Sequence, residues 1–203
     1  MINDSPHFYW SLFRFEHWNM YLVASETGLC RVDTLTNERE TPEEEAEEAI
    51  RKWIFRHFSN RQLSDGQLIR SEEHLQPYMA QYEDYFAGKR TQFTFSLDLH
   101  GTPFQISVWK ALLTIPYGLT ASYSDVAGKI GKRQAVRAVG RAIGANPVLI
   151  AVPCHRVIGK DGTLTGFRAG LTMKQKLLEI EAADYTCISA ARWGNIKVGS
   201  MPS

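Results

Sequence analysis

Cys154 and His155 sit side by side in the run PVLIAVPCHRVI, and the pair could form a nucleophile. A thiol reacts as its thiolate, a form that an imidazole held by a carboxylate or amide stabilises. The competing reading is structural, because cysteine is among the most buried residue types and behaves there as a small inert hydrophobe. Context favours chemistry: Pro153 interrupts an apolar, β-branched run just before Cys154, His155 and Arg156, which strand propensity alone would not produce. Zinc fits poorly. Adjacent residues on an extended segment point to opposite sides, and Cys30 and Cys187 show no ligand spacing. No metal and no organic cofactor are expected.

The segments flanking this pair read as helices. Thr102 is an N-cap candidate with Pro103 at the first helical position, and Phe104, Val108, Leu112 and Ile115 follow at near-helical spacing. Residues 122–130 and 134–146 form two short helices joined by Gly131, Lys132 and Arg133, the outline of a helix-turn-helix. The second carries Arg137 and Arg141 one turn apart, while Ala135, Ala138, Gly140, Ala142 and Gly144 leave it nearly without bulk. Such a surface suits close approach to a duplex or tight packing in a core, and the spacing does not choose between them. After the Cys-His segment, GKDGTLTGF reads as a turn and GLTMKQKLLEIE as a final helix.

Upstream, NMYLVASETGLCRVDTL reads as two strands joined by residues 25–28. TPEEEAEEAIRKWIFRHF starts a helix at Thr41 and Pro42, with glutamates at its positive end. HLQPYMAQYEDYFAGKR reads as a second helix closed by Gly88, and TQFTFSLDLH alternates in the manner of a strand. A linker is placed at roughly 88–103. No repeat or low-complexity segment is present.

The 203 residues, 44% hydrophobic and 22% charged, are those of a folded chain able to bury its own core. No stretch nears the roughly 18 apolar residues of a membrane helix. The N-terminal residues lack the basic start and clean apolar block of a signal peptide. Three cysteines without a CxxC pair fit a reducing compartment, so the cytoplasm is expected. The net charge of +1 conceals an asymmetry: residues 1–97 carry 10 basic and 16 acidic side chains, whereas residues 98–181 carry 11 and 5. A basic second half suits a polyanionic partner.

The ordered set Arg137-Ala138-Val139-Gly140, Asn146-Pro147 and Pro153-Cys154-His155-Arg156-Val157 resembles the O6-alkylguanine-DNA alkyltransferases, closely over residues 92–181 and in outline over 8–91. The resemblance implies an α/β N-terminal domain (1–92) with a small antiparallel sheet and helices. A mostly helical, winged-helix-like domain (93–184) would then bind DNA and accept the alkyl group, followed by a tail (185–203). It implies direct repair, in which a damaged guanine is rotated out of the duplex and its O6-alkyl group passes to Cys154 in one step. O4 of alkylated thymine is a second substrate the resemblance admits.

By the same likeness, His155 takes the thiol proton through a water, Glu181 orients the imidazole, and Asn146 braces the turn before the reactive segment. Arg137 fills the space left by the flipped base, and Ala138 and Arg141 lie with it in the minor groove. Tyr123 crowds the adjacent phosphate and donates to the guanine ring. Val157 contributes its carbonyl to base recognition, together with that of Cys154 and an amide near Arg168. Phe167 stands where many members have Tyr, and Arg168 where a small residue is frequent. Arg168 would narrow the pocket or contact a phosphate. The partner is duplex DNA containing O6-alkylguanine, bound by a monomer without membrane contact.

Three rivals remain. A non-catalytic alkylguanine sensor would lack the acceptor, but Cys154 is present. A winged-helix regulator leaves Cys154, His155, Asn146 and Glu181 unexplained, and a cysteine hydrolase would turn over repeatedly. The cysteine-rich zinc domain of fused adaptive-response regulators has no counterpart in three scattered cysteines.

Overall fold

The computed structural model describes residues 7–35, 42–58 and 66–182. Thr41, Cys187 and the 185–203 tail fall outside the described residues. The chain forms two compact units, Met1–Gly101 with Pro147–Leu149, and Thr102–Asn146 with Ile150–Ser203.

In the first unit, strands β1 (Phe8–Phe15), β2 (Trp18–Ser25) and β3 (Leu29–Thr34) pair antiparallel in sequence order, and β4 (Leu68–Arg70) adds to β1 in parallel. The sheet is therefore mixed. Both faces are covered. Phe8, Trp10, Tyr21 and Val23 pack with Ile50, Trp53 and Ile54 of helix α1 (Pro42–His57). On the other face Phe13 and Trp18 meet Tyr82 and Phe86 of helix α2 (Glu72–Phe86). This explains why β2 is buried almost throughout, where a one-sided strand would alternate. Helix α2 starts ahead of the predicted segment, at the N-cap Ser71, whose hydroxyl accepts from the His74 amide.

The strand expected over TQFTFSLDLH does not form. Only Leu97 bridges to the sheet, with the Leu29 amide donating to Ser96 O at 3.0 Å and the Asp98 amide to Leu29 O at 2.9 Å. Phe93 and Phe95 instead turn onto Tyr82 and Tyr85 of α2, so the alternation reflects aromatic packing and not a ladder. Gly28 is required where this segment passes, since a Cβ there would lie 2.5 Å from Ser96 O.

In the second unit, helix α3 (Pro103–Leu112) starts with a complete capping box between Thr102 and Gln105. Helix α4 (Tyr123–Lys129) has its own box between Ser122 and Asp125. Gly131 at φ 70° makes the turn into helix α5 (Val136–Gly144). Val139, Ala142 and Ile143 face inward on α5, and the Trp109 indole donates to Ala142 O at 2.8 Å, fixing α3 against α5. Short strands β5 (Ala121–Ser122) and β6 (Val157–Ile158) pair in parallel, and helix α6 (Leu171–Ala182) closes the unit. Among the described residues no helix is long and apolar enough to cross a membrane.

Candidate active site

Cys154 does not lie on an extended strand. Residues Cys154–Arg156 form one 3-10 turn ahead of β6, and Pro153, which has no amide hydrogen, ends the apolar run at its N-cap. Strand alternation therefore does not set Cys154 and His155 on opposite sides; among the described residues no group of three or more His, Cys, Asp or Glu side chains is placed to hold a metal.

The structure brings four of the expected residues together. Asn146, at the end of α5 and 1% exposed, donates from Nδ2 to the Cys154 sulfur at 3.0 Å and to Val152 O at 2.8 Å. It thereby closes the loop that returns to the cysteine, a loop in which buried Ile150 adopts φ 73°, a strained setting for a β-branched residue. His155, fully buried, bonds through Nε2 to Glu181 Oε1 of α6 at 2.9 Å. Arg156 reaches the same carboxylate, Nη2 to Oε1 at 2.8 Å and Nε to Oε2 at 2.9 Å. The Gly118 amide donates to Oε2 at 3.2 Å.

Electrostatics follow from this packing. Burial pushes the Cys154 thiol up, opposed by the Asn146 hydrogen bond and by the positive charges of Arg168 and Lys174. Burial pushes the His155 imidazole down, against the pull of Glu181, and Arg156 and Lys174 push it down further. Burial alone would raise the Glu181 carboxyl; His155 and Arg156 outweigh it and hold the group far below the usual carboxylate range.

The remaining residues surround this centre. Lys174 of α6, buried, donates from Nζ to Val157 O at 2.5 Å and to Thr165 O at 2.7 Å, so one ammonium ties β6 to the loop that follows it. Burial lowers that ammonium to about 8. Tyr123 donates from its hydroxyl to the same Thr165 carbonyl at 3.1 Å, with its ring beside Gly140 of α5 and its hydroxyl near Gly166. Arg168 Nη2 donates to Asn146 O at 2.9 Å, which turns the guanidinium toward the cysteine's loop, and Phe167 is half-buried beside it in sequence. Arg137, Ala138 and Arg141 occupy the exposed side of α5, whose N-cap Ala135 offers no side-chain bond.

Comparison with known proteins agrees with this geometry. Residues 103–183 match the family model for the DNA binding domain of 6-O-methylguanine DNA methyltransferase, and residues 8–99 match its ribonuclease-like domain. The chain belongs to the 6-O-methylguanine DNA methyltransferase family. An inducible methylated-DNA–protein-cysteine methyltransferase of Bacillus subtilis is 46% identical over 89% of this chain and 94% of its own length. One from Mycobacterium bovis is 58% identical over 50% of this chain and 61% of its own. Among solved structures, Mycobacterium tuberculosis OGT in complex with DNA is similar with a TM-score of 0.69 at 36% identity, over 86% of this chain and 93% of that one.

Two further residues of this buried centre, Arg156 and Lys174, carry no role assigned from the sequence. Arg156 lies inside the Pro153–Val157 motif, and nothing local marks its partner Glu181, 25 positions along the chain. Lys174 stands at a position where a helix of mixed charge gives no signal. Its spacing of seven residues from Glu181, two helical turns, does place both on one face of α6.

Proposed function

We propose that this chain repairs duplex DNA by moving the alkyl group from O6 of an alkylated guanine onto Cys154, once per chain. The observation that carries the reading is the buried Cys154 sulfur held at 3.0 Å by Asn146, next in sequence to a His155–Glu181 pair. Because Nε2 of His155 is bonded to Glu181, the thiol proton is taken at Nδ1, through one bridging water. The thiolate attacks the alkyl carbon, the C–S bond forms, and the C–O electron pair returns to the purine, which regains a proton as guanine. The product is a thioether, without an acyl carbon for water to attack, so the protein is consumed.

The surrounding groups take their roles from position. Arg137, Ala138 and Arg141 on the exposed side of α5 enter the minor groove, Arg137 filling the gap left by the rotated base. The Tyr123 hydroxyl exchanges Thr165 O for the purine ring. Val157 O, already accepting from Lys174, keeps a second lone pair for the base. Phe167 and Arg168 form the rim. The basic second half supports phosphate-dominated, salt-sensitive binding. Three scattered cysteines support action in the cytoplasm, and the reading takes a monomer as the acting species.

The test is stoichiometry with excess duplex carrying a labelled O6-methylguanine. Label in protein that stops at one methyl per chain supports the proposal. Continued release of methyl product supports a cysteine hydrolase, and binding without transfer supports a non-catalytic sensor.

A further inference from the structure

We propose that Arg156 is a positioning residue of the transfer reaction, sharing the Glu181 carboxylate so that His155 stays neutral and able to accept the thiol proton. The inference rests on the reading of His155 as the base.

A buried imidazole bonded to a carboxylate that has no other counter-ion tends toward an imidazolium–carboxylate pair, and an imidazolium cannot take a proton from a thiol. Here the carboxylate is already forked. Arg156 bonds Glu181 through Nε and Nη2 at 2.9 and 2.8 Å, and Nη1 donates to Ile115 O at 2.6 Å, which fixes the direction of the fork. The guanidinium lies over the Tyr117 ring, 5.8 Å from its centroid, and the Tyr117 hydroxyl donates to Ile180 O, next to Glu181. The fork and its carboxylate are held from three sides: the cysteine's own turn, the segment after α3, and α6.

The charged groups facing His155 are Glu181 and Lys174 from α6 and Arg156 from its own turn; the thiol of Cys154 adjoins it. Burial disfavours the imidazolium, and among these charged groups Glu181 favours it. Burial is the largest influence against the imidazolium; Arg156, bonded to both oxygens of Glu181, adds to it by opposing the carboxylate's pull and helps keep Glu181 ionised, so the carboxylate orients the ring without protonating it. Lysine carries the charge but cannot present the planar fork, which separates charge from geometry.

Arg156→Gln and Arg156→Lys test this, with two readouts: single-turnover methyl transfer across pH, and an NMR titration of the His155 ring. Arg156→Gln is expected to move the acid limb of the rate upward by about one to two pH units. Transfer at pH 6.5 would then fall about tenfold or more and recover toward the native rate at higher pH. Arg156→Lys should lie between. In the native chain the His155 ring should remain neutral well below pH 6.5, a titration that needs no DNA and so stands whether or not transfer occurs. If Arg156→Gln does not fold, the native titration and Arg156→Lys decide. A loss by the same factor at every pH, an unshifted limb in the folded variants, or a native imidazolium at pH 7 would overturn the proposal.

Discussion

The amide of Asn146 donates to the Cys154 sulfur and to Val152 O, binding the end of α5 to the reactive turn through one buried side chain. Removing it takes from Val152 O one of its two donors, the Cys154 amide at 2.8 Å being the other, and leaves the thiol without the Asn146 amide and the strained Ile150 loop unbraced. Asn146→Ala should cost about 1–3 kcal/mol of stability in urea unfolding. It should also slow methyl transfer at pH 7, because the thiol is pushed further up. A variant with native stability and native rate would remove Asn146 from the site.

Acid sensitivity should come from the relay. In the folded state burial holds His155 below its ordinary value near 6.5, and Glu181 is held below its ordinary value near 4.3. Both groups are depressed on folding, so the stability each contributes is complete above its unfolded value and is lost as pH falls through the range beneath it. Unfolding free energy should therefore decline first below about pH 6.5 and again below about pH 4.3. Glu181→Gln leaves Arg156 buried without its counter-ion and should cost about 3–5 kcal/mol at pH 7, a gap that narrows in the acid range. A gap constant from pH 7 to pH 3.5 would contradict the assignment.

Lys174 joins two carbonyls across the loop between β6 and α6. Lys174→Met should release that loop, seen as faster amide hydrogen exchange over residues 158–167, and lower transfer about tenfold or more while DNA affinity changes little. Unchanged exchange would show that the loop is held by other contacts.

Arg137→Ala should weaken repair in duplex more than alkyl transfer from the free base if, as proposed, it replaces the rotated base in the stack. Equal losses in both assays would refute that role.

Arg168→Ala should widen the pocket rim where the guanidinium now bonds Asn146 O, raising the rate for benzyl relative to methyl adducts. An unchanged ratio of the two rates would exclude Arg168 from substrate selection.

How much of this was legible depended on distance along the chain. The capping residues Thr102 and Ser122, Pro103 at a helix start and Gly131 at a turn act on partners within a few positions, so composition alone locates those elements. Strand β4 is three partly exposed residues whose pairing with β1 crosses some sixty positions, and nothing local marks it. Phe93 and Phe95 alternate like a strand but pack on α2, because periodicity reports burial and not hydrogen bonding. At the site, Cys154 and His155 were readable as chemistry. Glu181 entered only through the family resemblance, and Arg156 and Lys174 became visible when α6 brought a carboxylate and an ammonium against the 3-10 turn and β6.

Transfer to Cys154 is tested by the intact and peptide mass of the protein after mixing with a slight excess of duplex containing one O6-methylguanine. One added methyl is expected, located on the peptide that carries Cys154, with no second addition on longer incubation. An unchanged mass despite tight, selective binding, or a methyl on a peptide without Cys154, would contradict it.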